Sequence, residues 1–200
     1  MTAARQKSPS TARNREPIAA VLEGVLPAKG LVLEIASGAG EHAIFLAQRF
    51  PALTFQPSDP SPAARESIDA WIRHDAPANV LPPLAIDASA ERWSLDSASA
   101  VICINMIHIS PWAATQGLLR NAARLLGQGA PLYLYGPYRR EGVETAPSNE
   151  AFDEDLKRRN AAWGLRDLET VAALAAEHGF GPPVVTEMPA NNLSVVFRKL

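Results

Sequence analysis

The sequence predicts an α/β protein: a doubly wound, mostly parallel sheet of seven strands, with helices on both faces and an antiparallel hairpin at the C-terminal end. Three observations carry that prediction. Leu31-Val-Leu-Glu-Ile35 is an apolar run that breaks into Ala36-Ser-Gly-Ala-Gly40 and resumes with helical character at Ala43-Ile-Phe-Leu-Ala47, which reads as strand, glycine turn, helix. Apolar runs of strand length then alternate with runs of helical period. Finally, Val184–Met188 and Leu193–Phe197 are consecutive strand-like segments joined by Pro189-Ala-Asn-Asn192, where asparagine suits a positive φ.

In chain order, residues 1–12 read as a mobile polar tail. Pro17 opens a helix whose apolar face is Ile18, Val21, Leu22 and Val25, and Pro27–Gly30 ends it. After the first strand and its helix, Leu53-Thr-Phe55 is a second strand. It runs into the proline-rich loop Gln56-Pro-Ser-Asp59-Pro-Ser-Pro62. Residues 63–74 are helical, with Ile68, Trp71 and Ile72 inward. Leu84-Ala-Ile-Asp87 is a third strand and Ala100-Val-Ile-Cys-Ile104 a fourth, fully buried one. Pro111 and Trp112 start a helix with Leu118, Leu119, Ala122 and Leu125 inward, and Pro131-Leu-Tyr-Leu-Tyr135 is the fifth strand. Residues 136–149 form a polar excursion, 152–159 a helix and 163–167 a turn. Leu168, Val171, Leu174 and Ala175 mark the last helix. The two hairpin strands complete the count of seven.

The totals fit one domain over residues 1–200, long enough for a sizeable core. Nineteen basic residues against twenty-one acidic ones give no global field for nucleic acid. Basic clusters at Arg139-Arg140 and Lys157-Arg158-Arg159 read as solvated surface. Cys103, the only cysteine, lies in an apolar run, so a disulfide framework is excluded and a reducing cytoplasm is expected. No apolar h-region of a secretory signal is read, and no apolar run is long enough to span a bilayer.

Chemistry concentrates on acids at strand ends. Glu34 interrupts the first strand just before the glycines, where a carboxylate among apolar neighbours is costly unless satisfied. Asp59 follows the second strand and Asp87 the third. Ligands of an open α/β sheet bind at that edge. Asp59 suits both hydroxyls of a ribose, and Asp87 suits an exocyclic amine such as adenine's. The glycine turn and helix N-terminus suit a negative group. Gly38-Ala-Gly-Glu-His-Ala43 also satisfies the dinucleotide pattern, so a nicotinamide cofactor stays open on these residues alone. His42, His74, His108 and His178 show no metal-ligand spacing, and no metal is expected.

Glu34-Ile-Ala-Ser-Gly-Ala-Gly40, Asp59 and Asp87, with the terminal hairpin, resemble the class I S-adenosylmethionine-dependent methyltransferases over residues 30–200. The resemblance implies a Rossmann-like fold and S-adenosylmethionine as cofactor. It sets Ala36, Ser37, Gly38 and Gly40 against the cofactor's amino-acid part, with Glu34 in the same motif. Asp59 falls on the ribose position, Asp87 with Ala88 on the adenine side, and Asn105 to His108 on the segment after the fourth strand. A closer similarity covers nearly the whole chain. Arg13-Asn-Arg-Glu-Pro17, Gln56-Pro-Ser-Asp59, Asn105-Met-Ile-His-Ile-Ser-Pro-Trp112, Gly136-Pro-Tyr138, Pro147-Ser-Asn149, Trp163-Gly164 and Pro189-Ala-Asn-Asn192 resemble the domain-of-unknown-function 938 family, whose members are called methyltransferase-like.

On that basis Asn105 and His108 stand next to the reacting methyl, with Asn105 also a cofactor contact and His108 a general base near neutral pH. Tyr138, as a catalytic candidate, and Arg139 leave the fifth strand on the same rim and suit an anionic or aromatic substrate. Residues 136–167 are expected as a substrate-side wall. Asn14, ahead of the first helix, is placed over the cofactor, and His42 caps its carboxylate. Asn105-Met-Ile-His108 lacks the Pro-Pro-aromatic segment of amino-group nucleic-acid methyltransferases, so a nucleic-acid base is a poor target. The expected activity is methyl transfer to O, N or S of a small molecule, with no nucleic-acid or membrane partner. The rivals are a non-catalytic regulatory protein that binds S-adenosylmethionine or S-adenosylhomocysteine, and an NAD(P)-dependent oxidoreductase.

Overall fold

The computed structural model describes residues 5–75 and 77–200. Pro9–Glu23 form helix α1, which starts two turns earlier than Pro17, the start expected from the sequence. Thr11, Asn14, Ile18, Ala19 and Leu22 recur at helical spacing and are all buried, so polar side chains extend the inward face beyond the apolar ones. Pro9 occupies the first turn, where its missing N–H is no loss. The expected mobile tail is anchored from Arg5 onward. The Gln6 N–H donates to Ser67 Oγ (2.9 Å), Trp71 Nε1 donates to the Gln6 carbonyl (3.0 Å), and the Arg5 guanidinium lies over the Trp71 ring. Residues 1–4 fall outside the described residues.

Gly30–Ile35 is β1, Glu41–Arg49 α2, Leu53–Pro57 β2 and Pro62–Asp75 α3. Ala100–Ile104 is β3, followed by a short 3-10 turn at Met106–His108, then α4 (Trp112–Leu125) and β4 (Pro131–Gly136). Tyr138–Arg139 is β5, Pro147–Arg159 α5, Arg166–Asp167 β6 and Leu168–Glu177 α6. Val184–Met188 (β7) and Asn192–Arg198 (β8) end the chain. The main sheet has six strands in the order β2-β1-β3-β4-β8-β7. The first four are parallel, and β8 runs antiparallel to both of its neighbours, β4 and β7. A separate parallel pair, β5 with β6, ties the two ends of the 136–167 insert.

The seventh strand expected at 84–87 does not form. Residues 79–84 do run beside β2: the Phe55 N–H donates to the Asn79 carbonyl (2.7 Å) and the Leu84 N–H to the Pro57 carbonyl (3.0 Å). Pro82 and Pro83 between them have no N–H to donate, so only isolated bridges at Val80 and Leu84 survive.

Each face of the sheet carries its own core. Along β3 the side chains alternate: Val101 and Cys103 join one cluster with α4 and α6, while Ala100, Ile102 and Ile104 join the other with α1 and α2. β4 does the same with Leu132 and Leu134 against Tyr133 and Tyr135. Two fully covered faces explain why the parallel strands read as unbroken apolar runs. The hairpin turn holds Ala190 and Asn191 at φ 58° and 56°, and Asn149 Nδ2 of α5 donates to the Asn191 carbonyl (2.9 Å). Among the described residues no helix is long and apolar enough to cross a membrane.

Candidate functional site

The tips of β1 and β2 are laced together by two serines. The Ser37 N–H donates to the Ser58 carbonyl (2.8 Å), the Ser58 N–H to Ser37 Oγ (3.1 Å), and Ser58 Oγ to the Glu34 carbonyl (2.6 Å). The chain leaves β1 with Ala36 at φ 55°, a left-handed conformation that costs a non-glycine residue about 1–3 kcal/mol and clusters at functional sites. Gly40 has φ 92°, and a Cβ there would stand 2.8 Å from Ile68 Cγ1, so only glycine lets the turn lie against α3. The Gly38 N–H donates to Asp59 Oδ2 (3.0 Å) and the Ser61 N–H to Asp59 Oδ1 (2.9 Å), which fixes the Asp59 carboxylate at the second strand tip.

Asp87 stands next along this edge. Its Oδ1 accepts from the Ser89 N–H (2.8 Å) and Oγ (2.7 Å). The following residues press on α4, where a Cβ on Gly117 would come within 2.1 Å of the Ala88 carbonyl. A cleft of about 470 Å³ opens between these tips. Ala36, Gly38, Asp59, Asp87 and Ala88 line it, so five of the residues expected to hold a cofactor share one hollow. Its remaining wall is mostly apolar: Ile35 and Ile104 at the strand ends, Met106, Ile109 and Pro111 after β3, and Ala113 and Ala114 of α4. Trp163 arrives from the insert.

The other expected site residues stand around the cleft rather than along it. Glu34 is 1% exposed, and its Oε2 has no hydrogen-bond partner. Burial lifts its carboxyl to about 7, with the bond to Ser37 opposing and the Asp59 charge adding. Ser37 and Gly40 are buried within the turn. Asn14 Oδ1 meets His42 Nε2 at 2.9 Å, which joins α1 to the first turn of α2. Burial, helped by nearby Arg15, pushes His42 down to about 4, so its ring is neutral. Asn105 is half-buried at φ 64°, and its N–H donates to the Tyr135 carbonyl (2.8 Å).

His108 is fully buried, with its ring edge-on to Tyr138 at 4.9 Å. Neither ring nitrogen of His108 nor the Tyr138 hydroxyl has a partner among the described residues. Burial, with Arg166 nearby, pushes His108 down to about 3, well below the value expected of a base working near neutral pH. Tyr138 lines a second, smaller hollow of about 150 Å³ with Asn149, Met188 and Asn191. Arg139, expected to hold substrate, spends its guanidinium on Glu150 (2.6 Å) and Asp153 (3.0 Å) within the insert.

Residues 5–199 match the family model DUF938, protein of unknown function. The chain belongs to that family. The fold of this DUF938 protein is that of S-adenosylmethionine-binding methyltransferases. An O-methyltransferase family protein from Burkholderia thailandensis superposes with a TM-score of 0.79 at 16% identity, over 95% of this chain and 57% of its own length. CalO1, a methyltransferase in calicheamicin biosynthesis in its SAH-bound form, gives 0.78 at 16%, over 96% and 54%. Human N-acetylserotonin methyltransferase in complex with SAM gives 0.78 at 15%, over 95% and 52%. At such identities the likeness is one of fold. The DUF938 chain spans about half the length of these structures.

The sequence reading missed the apolar half of the cleft. Met106, Ile109 and Pro111 lie in the Asn105–Trp112 segment, whose position after a strand was the available signal. Nothing local announces Trp163, because only the tertiary path of the insert brings it back to the sheet edge.

Proposed function

We propose that this DUF938 protein binds S-adenosylmethionine in the cleft and passes its methyl group to a small-molecule acceptor. The observation that carries the reading is the placing of two carboxylates, Asp59 at the tip of β2 and Asp87 in the loop before β3, on one apolar hollow of ligand size. Asp59 keeps lone pairs beyond those used by Gly38 and Ser61, enough for both ribose hydroxyls. Asp87 would accept from the adenine amine, and Ala36 and Gly38 would lie along the amino-acid part. The cofactor supplies an electrophilic methyl on a sulfonium, so the protein's task is to orient the acceptor and exclude water. Of the three residues expected at the acceptor, Asn105 is the partly exposed one and we assign it to that side. His108 and Tyr138 would stiffen the wall behind it. The chain acts here as one domain.

Calorimetry with S-adenosylmethionine, S-adenosylhomocysteine and NAD tests the reading. Wild type should bind the first two and ignore NAD. Asp59→Ala should weaken both by about tenfold or more, since a hydrogen bond to a charged acceptor contributes about 1.5–3 kcal/mol. NAD binding without sulfonium binding, or an Asp59→Ala protein that binds as wild type does, would sink it. Release of S-adenosylhomocysteine with a panel of hydroxyl, amine and thiol acceptors separates an enzyme from a cofactor-binding regulator.

A further inference from the structure

We propose that Trp163, delivered by the 136–167 insert, is the stacking wall for the purine of the cofactor, so that this part of the insert serves the cofactor rather than the acceptor. The inference rests on the cofactor reading above. Among the described residues Trp163 is the insert's one contribution to the cleft lining. Its placement is built rather than incidental. The Gly164 N–H donates to the His108 carbonyl (2.9 Å), Arg166 Nε to the Ile107 carbonyl (2.9 Å) and Arg166 Nη2 to the Ser110 carbonyl (2.6 Å). On its other flank the Leu165 N–H donates to Asp153 Oδ1 (2.8 Å) and the Trp163 N–H to the Asn160 carbonyl (2.9 Å). Gly164 has φ 145°, and a Cβ there would stand 2.6 Å from Asp153 Oδ1, so only glycine fits this turn.

The same bonds say which end of the cleft Trp163 occupies. They fasten it to Ile107–Ser110, just before α4. Ala88 and Ser89, the two residues that follow Asp87, are pressed against that same helix at Gly117. Trp163 and Asp87 therefore share the α4 side, whereas the glycine turn lies at the tip of β1. Asp87 Oδ2 has no partner among the described residues and is free to accept an exocyclic amine. An amine held there brings a flat heteroaromatic ring with it. The Arg159 guanidinium lies over the Trp163 ring, 5.2 Å from its centroid, and stands outside the cleft lining, which leaves one ring face for a planar ligand.

The test measures S-adenosylhomocysteine binding by calorimetry and by intrinsic fluorescence on the full chain, as wild type, Trp163→Ala and Trp163→Phe. Alanine should weaken binding about 5- to 100-fold, as loss of one base-stacking aromatic does, and phenylalanine should stay within about threefold. The change in tryptophan emission on binding should disappear in Trp163→Phe although binding persists. That arm stands even if the alanine variant folds poorly. Affinity unchanged in Trp163→Ala, with any loss confined to turnover or to acceptor KM, would overturn the proposal and give Trp163 to the acceptor. Unchanged emission in wild type on binding would overturn it too. Failure of wild type to bind would remove the cofactor reading itself and this proposal with it, an outcome distinct from a silent Trp163.

Discussion

Three buried titratable side chains next to the cleft give opposing pH dependences. Glu34 has its pKa raised to about 7 by folding, so the folded protein holds a proton there that the unfolded chain releases above about 4.5. The stability tied to Glu34 is complete below 4.5 and is lost as pH rises through 7. His42 and His108 run the other way. Their values are lowered from 6.5 to about 4 and about 3, so their contributions are complete above 6.5 and lost as pH falls. Two imidazoles outweigh one carboxyl, and denaturant unfolding should show wild type losing stability between pH 6.5 and 4.5. His108→Gln should flatten that slope. Glu34→Gln should stabilise the protein at pH 8 by about 1–3 kcal/mol and change little at pH 4.5. The oddity of Glu34 was legible in the sequence, because an acid inside an apolar strand is an anomaly wherever it occurs. The weakness of His108 as a base was not, because burial under Gly136 and Tyr138 depends on segments 28 and 30 residues away.

At the scale of elements, glycines set how closely the pieces approach. Gly117→Ala exchanges a helix-propensity gain of about 1 kcal/mol for a methyl group 2.1 Å from the Ala88 carbonyl. The expected outcome is net destabilisation of about 1–3 kcal/mol together with weaker S-adenosylhomocysteine binding, because α4 can relax only by moving Ala88 and Ser89, which follow Asp87. Thermal unfolding and calorimetry on one preparation read both effects. The elements were mostly legible, since α2, α3, α4, α6 and the buried strands declare their periods. Two were not. α1 hid its first turns behind buried Thr11 and Asn14, which carry no apolar signal. Leu84–Asp87 looked like a strand by its side chains, while the obstacle lay in the backbone of the two prolines before it.

Across the whole molecule, the insert stays in place around a single acid. Asp153 is 3% exposed, and it accepts from the Leu165 N–H, from Arg139 and from Lys157. Burial raises its pKa, but these bonds outweigh that and hold the carboxyl below its ordinary range. Asp153→Ala would leave the buried Leu165 N–H unpaired and take one of Arg139's two carboxylate partners, at a cost of about 1–3 kcal/mol. The expected readout is faster proteolysis within 140–165 and a lower melting temperature. Such long-range coupling is why the site was only half legible. The glycine turn, Asp59 and Asp87 are local to the sheet edge and could be read directly. The wall opposite them is assembled from segments about fifty residues apart, and no local pattern encodes that meeting.

The failed strand beside β2 has a bearing on solubility. An open parallel sheet invites passing chains to dock on its outermost strand and extend it. Here residues 79–84 already occupy that row, and Pro82 and Pro83 offer a newcomer no donors. The prolines act as a terminator for sheet growth, and valines in their place would turn a blunt flank into a template for aggregation.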